Sequence, residues 1–205
     1  MSFQSDDRDA EYFYWLGKFI FSFAGVESGL NAQISLLTFQ GLAESKNAST
    51  LPKALIGVQT MEAAKTTLKR VLRALSYPES VIEGLQPLFA HLGHIQIMRN
   101  CIVHLGAWGE GPYKRVHDAI RSSDTGDTLY ISVQTLKDMV DDLDRIPPRI
   151  SWVINPSLKQ SLPLALADHI KHVMGPWRFN PTIPRVPPED IHDFWAELFP
   201  PPPLD

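Results

Sequence analysis

The chain has 205 residues, of which 44% are hydrophobic and 20% charged, and its formal net charge is −4. That length suits one domain or one domain with an appendage, and the apolar fraction is enough for a core. The mild acidity excludes a generic nucleic-acid coat protein but leaves room for a local basic patch. A single cysteine, Cys101, excludes an intrachain disulfide and leaves any structural zinc site to other ligands.

The opening MSFQSDDRDAEY is acidic where a signal peptide is basic. The most apolar run, YFYWLGKFIFSFAGV, is short for a membrane span, is interrupted by Lys18 and is followed by Glu27. These features predict a cytoplasmic protein that does not engage a membrane.

From about Asp9 to Leu42, apolar residues recur in steps of three and four: Tyr12, Trp15, Leu16, Phe19, Ile20, Phe23, Val26, Leu30, Ile34 and Leu37. This is one face of a long helix. Gly17, Gly25 and Gly29 lower its propensity and allow another helix to approach closely. ESKNASTLP reads as a loop. A second helix is expected from about Pro52 to Leu75, with Met61, Leu68, Val71, Leu72 and Leu75 inward. Its other side carries Lys65, Lys69, Arg70 and Arg73. They form either a solvated face or a stripe that tracks an RNA backbone.

SYPES breaks the chain, with Ser76, Pro78 and Glu79 as start signals for a third helix from about Glu79 to Leu105, kinked at Pro87. GAWGEGP ends it. Strand-like runs flanking a Ser/Asp/Gly turn in KRVHDAIRSSDTGDTLYISVQ predict a small β-hairpin. A fourth helix follows, capped by Ser132 or started at Thr135, with Leu136, Met139, Val140 and Leu143 inward. Thirteen of the seventeen prolines lie after Ile146. Residues 147–205 are therefore expected to form a proline-rich arm with short helices, and residues 1–146 a helical domain. Within the arm, LALADHIKHVM and PPEDIHDFWAELF each suit a helix. The second spaces Ile191, Phe194, Trp195, Leu198 and Phe199 on one face that must dock to be stable.

The helix-end stretch MRNCIVHLGAW carries the chemistry. Asn100 and His104 are one turn apart and share a face, and the long Arg99 side chain can swing toward it. Arginine offers a planar fork matched to phosphate, histidine titrates near neutrality, and asparagine can hold a phosphate oxygen or a ring nitrogen. That set suits metal-free RNA cleavage, in which an imidazole deprotonates a ribose 2′-hydroxyl and a guanidinium stabilises charge on phosphorus oxygens.

RNCIVH resembles the R-N-x-x-x-H form of the Arg-x(4–6)-His motif of HEPN domains, and FAGVESGLNAQISLL is similar to their E-x-x-L pattern. The resemblance covers roughly residues 9–146. It implies an all-α, HEPN-like helical bundle, here with a hairpin insertion and the C-terminal arm. It implies a metal-independent endoribonuclease, a hydrolase acting as a homodimer, of a toxin–antitoxin or defence type. RNA would be the substrate, and an antitoxin or another protein a partner. By position, Arg99, Asn100 and His104 would be catalytic, and Glu27 would support Arg99. No cofactor or metal is implied. Arg185 and His192 also match the bare spacing, inside the arm.

Other readings of these residues are weaker. His91 and His94, with His104, lack an acidic partner at a matching helical offset, and His169 and His172 are no better placed. Cys101 beside His104 reads as core filler rather than a nucleophile. The alternative function is a non-catalytic helical interaction module, with Trp152, Trp177 and Trp195 as binding anchors.

Overall fold

A computed structural model describes residues 7–41, 59–105, 113–117 and 128–182. Among them the protein is mostly helical. Helix α1 spans Asp7–Gly41, α2 Met61–Ala74, α3 Glu79–Gly84 and α4 Gln86–Leu105. Strands β1 (Tyr113–His117) and β2 (Thr128–Ser132) follow, then α5 (Val133–Ile154), α6 (Pro156–Gln160), a 3-10 turn at Leu164–Leu166 and α7 (Ala167–Met174). The strands pair antiparallel, with Tyr113 opposite Ser132 and His117 opposite Thr128.

The chain divides into two compact units. One comprises Met1–Ile20, His94–Val140 and Arg178–Asp205; the other comprises Phe21–Gly93 and Asp141–Trp177. In the first, Tyr12, Phe19, Ile95, Met98, Ile102, Ile131, Leu136, Met139 and Phe179 are buried. Burial pushes the Tyr12 hydroxyl well above the ordinary tyrosine range, so this phenol stays neutral. Nearby, Lys137 donates to Glu11 at 2.8 Å and lies 5.2 Å from the Trp15 ring centroid.

In the second unit, the inward face of α1 (Phe23, Val26, Leu30, Ile34, Leu37) is buried, as are Met61, Leu68 and Leu72 of α2. Each set recurs at helical spacing, which is why these segments are helices that bury one side.

Local chemistry explains most helix ends. Thr60 caps α2, accepting from the Ala63 amide. At its far end the Tyr77 amide bonds the Leu72 carbonyl and the Ser76 amide bonds that of Arg73, a Schellman closure. Ser76 therefore holds φ at 58°, where glycine is usual. It terminates α2 and does not start α3; Pro78 occupies the cap of α3. The expected single helix from Glu79 to Leu105 is two, broken at Leu85. Pro87 falls in the first turn of α4, where its missing N–H costs nothing. The Ser132 hydroxyl caps α5, accepting from the Thr135 amide at 3.1 Å.

Helix α5 does not stop at Ile146. It runs through Pro147 and Pro148 to Ile154. Each proline removes a backbone donor and crowds the preceding turn, at about 3 kcal/mol or more. Downstream burial of Ile150 and Ile154, and the anchoring of Arg145 and Arg149 described below, oppose that cost. Gly84 permits α3 to approach α5 closely, since a Cβ there would lie 3.1 Å from Val153 Cγ1. The predicted helix at PPEDIHDFWAELF lies outside the described residues.

Candidate functional site

Helix α4 carries the Arg99 motif in its last turns. Met98 and Ile102 are buried and anchor one side of the helix there. On the other side Asn100 is exposed, flanked by Ile97 (56% exposed) and Val103 (45%). Arg99 is half-buried and donates from Nη1 to the Asn100 side-chain oxygen at 3.1 Å. The motif's histidine position, 104, is helical and lies one turn beyond Asn100, on the same face. Gln96 precedes Asn100 by one turn on that face. Its side-chain oxygen is buried with no hydrogen-bond partner among the described residues. Gln96 was not singled out in the sequence, because a lone glutamine on a helix carries no signal.

Glu27 is half-buried in α1, and its carbonyl accepts from the Asn31 side chain. It belongs to the second unit and Arg99 to the first.

The basic side of α2 is largely engaged within its own unit. Lys65 is buried and paired with Glu62. Lys69 donates to Gln86 at 3.2 Å and sits 5.3 Å from the Phe89 ring centroid. Arg73 pairs with Glu79 at 2.8 Å. That hydrogen bond, with the charge of the partner, raises the Arg73 guanidinium and holds the Glu79 carboxyl below the usual carboxylate range. Arg70 is exposed and makes no ion pair among the described residues. A continuous stripe of unengaged cations, expected if α2 tracked RNA, is not what these contacts describe.

The most built polar cluster lies elsewhere, in the second unit. Asp142 is fully buried, and its carboxylate meets His91 Nε2 at 2.9 Å. His91 stacks on Trp177, with ring centroids 4.2 Å apart and planes within 10°. The Arg149 guanidinium also covers that indole, at 3.9 Å. Arg145, 3% exposed, pairs with Asp141 and donates to the Pro176 carbonyl at 2.8 Å. Arg149 donates to the carbonyls of Val173 and Gly175. Burial, then the charge of Arg145, lowers the Arg149 pKa, while Asp142 acts in the opposite sense. His172 lies 3.4 Å from both Arg145 and Asp141.

These groups satisfy the carbonyls beyond the end of α7 and fasten residues 172–177 to α5. The cluster is a clamp whose charged groups engage one another and nearby backbone carbonyls, with Arg145 Nε buried and lacking a hydrogen-bond partner among the described residues. His91, weighed above as a metal ligand beside His94, instead finds its acidic partner 51 residues away on another helix. Trp177 is held inside this clamp and is not an outward anchor; Trp152 is half-buried in α5. Among the described residues no group of three or more His, Cys, Asp or Glu side chains is placed to hold a metal ion. Among the same residues no helix is long and apolar enough to cross a membrane. Arg185, His192 and Trp195 lie outside the described residues.

Comparison with family models, with curated protein sequences and with solved structures found no match to the chain.

Proposed function

We propose that the protein is a metal-independent endoribonuclease of HEPN type, built as a HEPN-like helical bundle and working in the cytoplasm as a homodimer. The observation that carries this reading is the arrangement at the end of α4. Arg99 and Asn100 are hydrogen-bonded side by side, and position 104 is one helical turn beyond Asn100. Exposed Ile97 and Val103 beside them offer apolar surface on which a nucleobase can rest.

In this mechanism the His104 imidazole takes the proton from a ribose 2′-hydroxyl. The oxygen attacks the adjacent phosphorus, and the bond to the 5′-oxygen breaks. The leaving oxygen takes up a proton, giving a 2′,3′-cyclic phosphate and a free 5′-hydroxyl. Arg99 stabilises the negative charge that builds on the non-bridging oxygens. Asn100 holds the guanidinium in place. Arg70 is the one member of the α2 stripe left to contact RNA backbone. A role as toxin or defence component, with an antitoxin or other protein partner, belongs to the same reading.

The test is cleavage of a mixed RNA pool in EDTA by wild type, Arg99→Ala and His104→Ala, with end-group analysis. Cleavage by wild type alone, leaving cyclic phosphates, is expected. Equal cleavage by all three overturns the assignment. A folded wild type that cuts nothing favours the second reading, a non-catalytic interaction module. That reading draws on the exposed apolar residues of α1, Phe21 at 80% and Leu36 at 52%.

A further inference from the structure

Within the second unit, α1 and α5 frame a recess of about 270 Å³ that is open to solvent on one side. Its floor is apolar: Val26 and Leu30 of α1 and Ile150 of α5 line it and are buried. Gly29 and Pro147 meet across it, and a Cβ on Gly29 would lie 4.0 Å from Pro147 Cβ. The space exists because a glycine stands on one helix where the other carries a proline ring. A proline inside a helix breaks a local rule, and such departures concentrate at functional sites. Half-buried Gln33 and Ser151 complete the lining, one from each helix. Neither side chain makes a hydrogen bond among the described residues. No lining residue is charged.

We infer that this recess binds an uncharged six-membered lactam ring, the chemistry of a pyrimidinone nucleobase. Three observations select that occupant. The lining carries no charge, so an ionised ligand would lose its water and gain no partner. The volume lies below that of a drug-sized site, which suits a single ring seated edge-on over Val26, Leu30 and Ile150. The rim supplies what a lactam edge needs. A primary amide presents an oxygen and an N–H side by side, so Gln33 can accept from the ring N–H and donate to the adjacent ring carbonyl in one bidentate pair. The Ser151 hydroxyl, on the other helix, is left to donate to a second ring carbonyl. A ring without polar edges would bury these groups unpaired, whereas a lactam satisfies them.

The inference rests on the second unit alone and does not require the ribonuclease reading, whose Arg99 and Asn100 lie in the first. Titration of the full chain with uracil, followed through the amide resonances of Gly29, Gln33 and Ser151, tests it. Saturable shifts at all three are expected, with a dissociation constant on the order of millimolar, as suits so small a ligand. Dimethyluracil, with both ring nitrogens methylated, should bind about tenfold more weakly or worse. Orotate, the same ring bearing a carboxylate, should not bind. Gln33→Leu keeps an apolar lining and removes the amide edge, and should weaken uracil about tenfold or more. Gly29→Leu fills the recess and should abolish binding with the melting temperature retained, since leucine is the better helix former; if that variant unfolds, Gln33→Leu decides. Uridine separates the sources of the ring. Affinity equal to that of uracil means the recess takes the base from a nucleoside or nucleic acid, and its loss means the free ring is the ligand. No shift at millimolar uracil, equal affinity for dimethyluracil or orotate, or a Gln33→Leu chain that binds uracil as wild type does overturns the proposal. None of these readouts uses RNA cleavage, so failure of the recess and failure of the ribonuclease assignment are told apart.

Discussion

The two ends of α4 spend their polar residues differently. Near its start His91 is buried against Asp142 and Trp177 in a network that fastens residues 172–177 to α5. Near its end Arg99 reaches its neighbour Asn100, which faces solvent. A buried network is committed: each group compensates the desolvation of another, and removing one leaves an uncompensated charge or dipole. An exposed polar side chain such as that of Asn100 contributes little to the fold and can be turned to a ligand. Stability and activity should therefore separate between the two ends.

The largest expected effect is at the clamp. Asp142→Ala strands His91 in a buried site and should cost about 3–5 kcal/mol in urea unfolding. Trp177→Ala removes the surface shared by His91 and Arg149 and should cost about 2 kcal/mol, less than a fully buried tryptophan because Trp177 is half-buried. Ser76→Gly relieves a left-handed serine at the end of α2 and should add about 1 kcal/mol, an increase that gauges how much strain the turn holds.

Arg99→Ala, at a half-buried position, should cost about 1 kcal/mol, well below Asp142→Ala, while abolishing the cleavage proposed for this site. A loss comparable to that of Asp142→Ala would collapse the contrast and make Arg99 a structural residue. The smallest effect is at the exposed Arg73–Glu79 pair. Its hydrogen bond depresses the Glu79 pKa, so its contribution is present above the unfolded carboxylate value and lost as pH falls through the folded one. Glu79→Gln should lower the melting temperature only marginally at neutral pH, and the difference from wild type should vanish in acid. A gap that persists in acid would mean the substitution acts on something other than this ion pair.

Periodicity made the long helices legible. The first was expected over about Asp9–Leu42 and is observed over Asp7–Gly41, because its inward residues recur every three or four positions. The cap at Ser132 was likewise visible, since the hydroxyl acts on an amide three residues away. Ser76 misled because serine is a common helix start, while its role here depends on a backbone turn that usually takes glycine. Pro147 and Pro148 misled because proline disfavours helix locally, and what carries α5 past them is tertiary. Of the candidate site, the helical placement of positions 99, 100 and 104 was readable from spacing. The engagement of Lys65, Lys69 and Arg73 by Glu62, Gln86 and Glu79 was not.

By itself the sequence determined what local periodicity and capping can determine: that the chain is mostly helical, where α1 runs, and that one side of α4's end collects an arginine, an asparagine and a histidine position. Only the tertiary structure decided that His91 meets Asp142 across 51 residues of sequence and that Trp177 is gripped between His91 and Arg149. The physical reason is range. Helix spacing and caps act over three or four residues, whereas ion pairs, ring stacks and burial join side chains that the chain alone keeps dozens of residues apart.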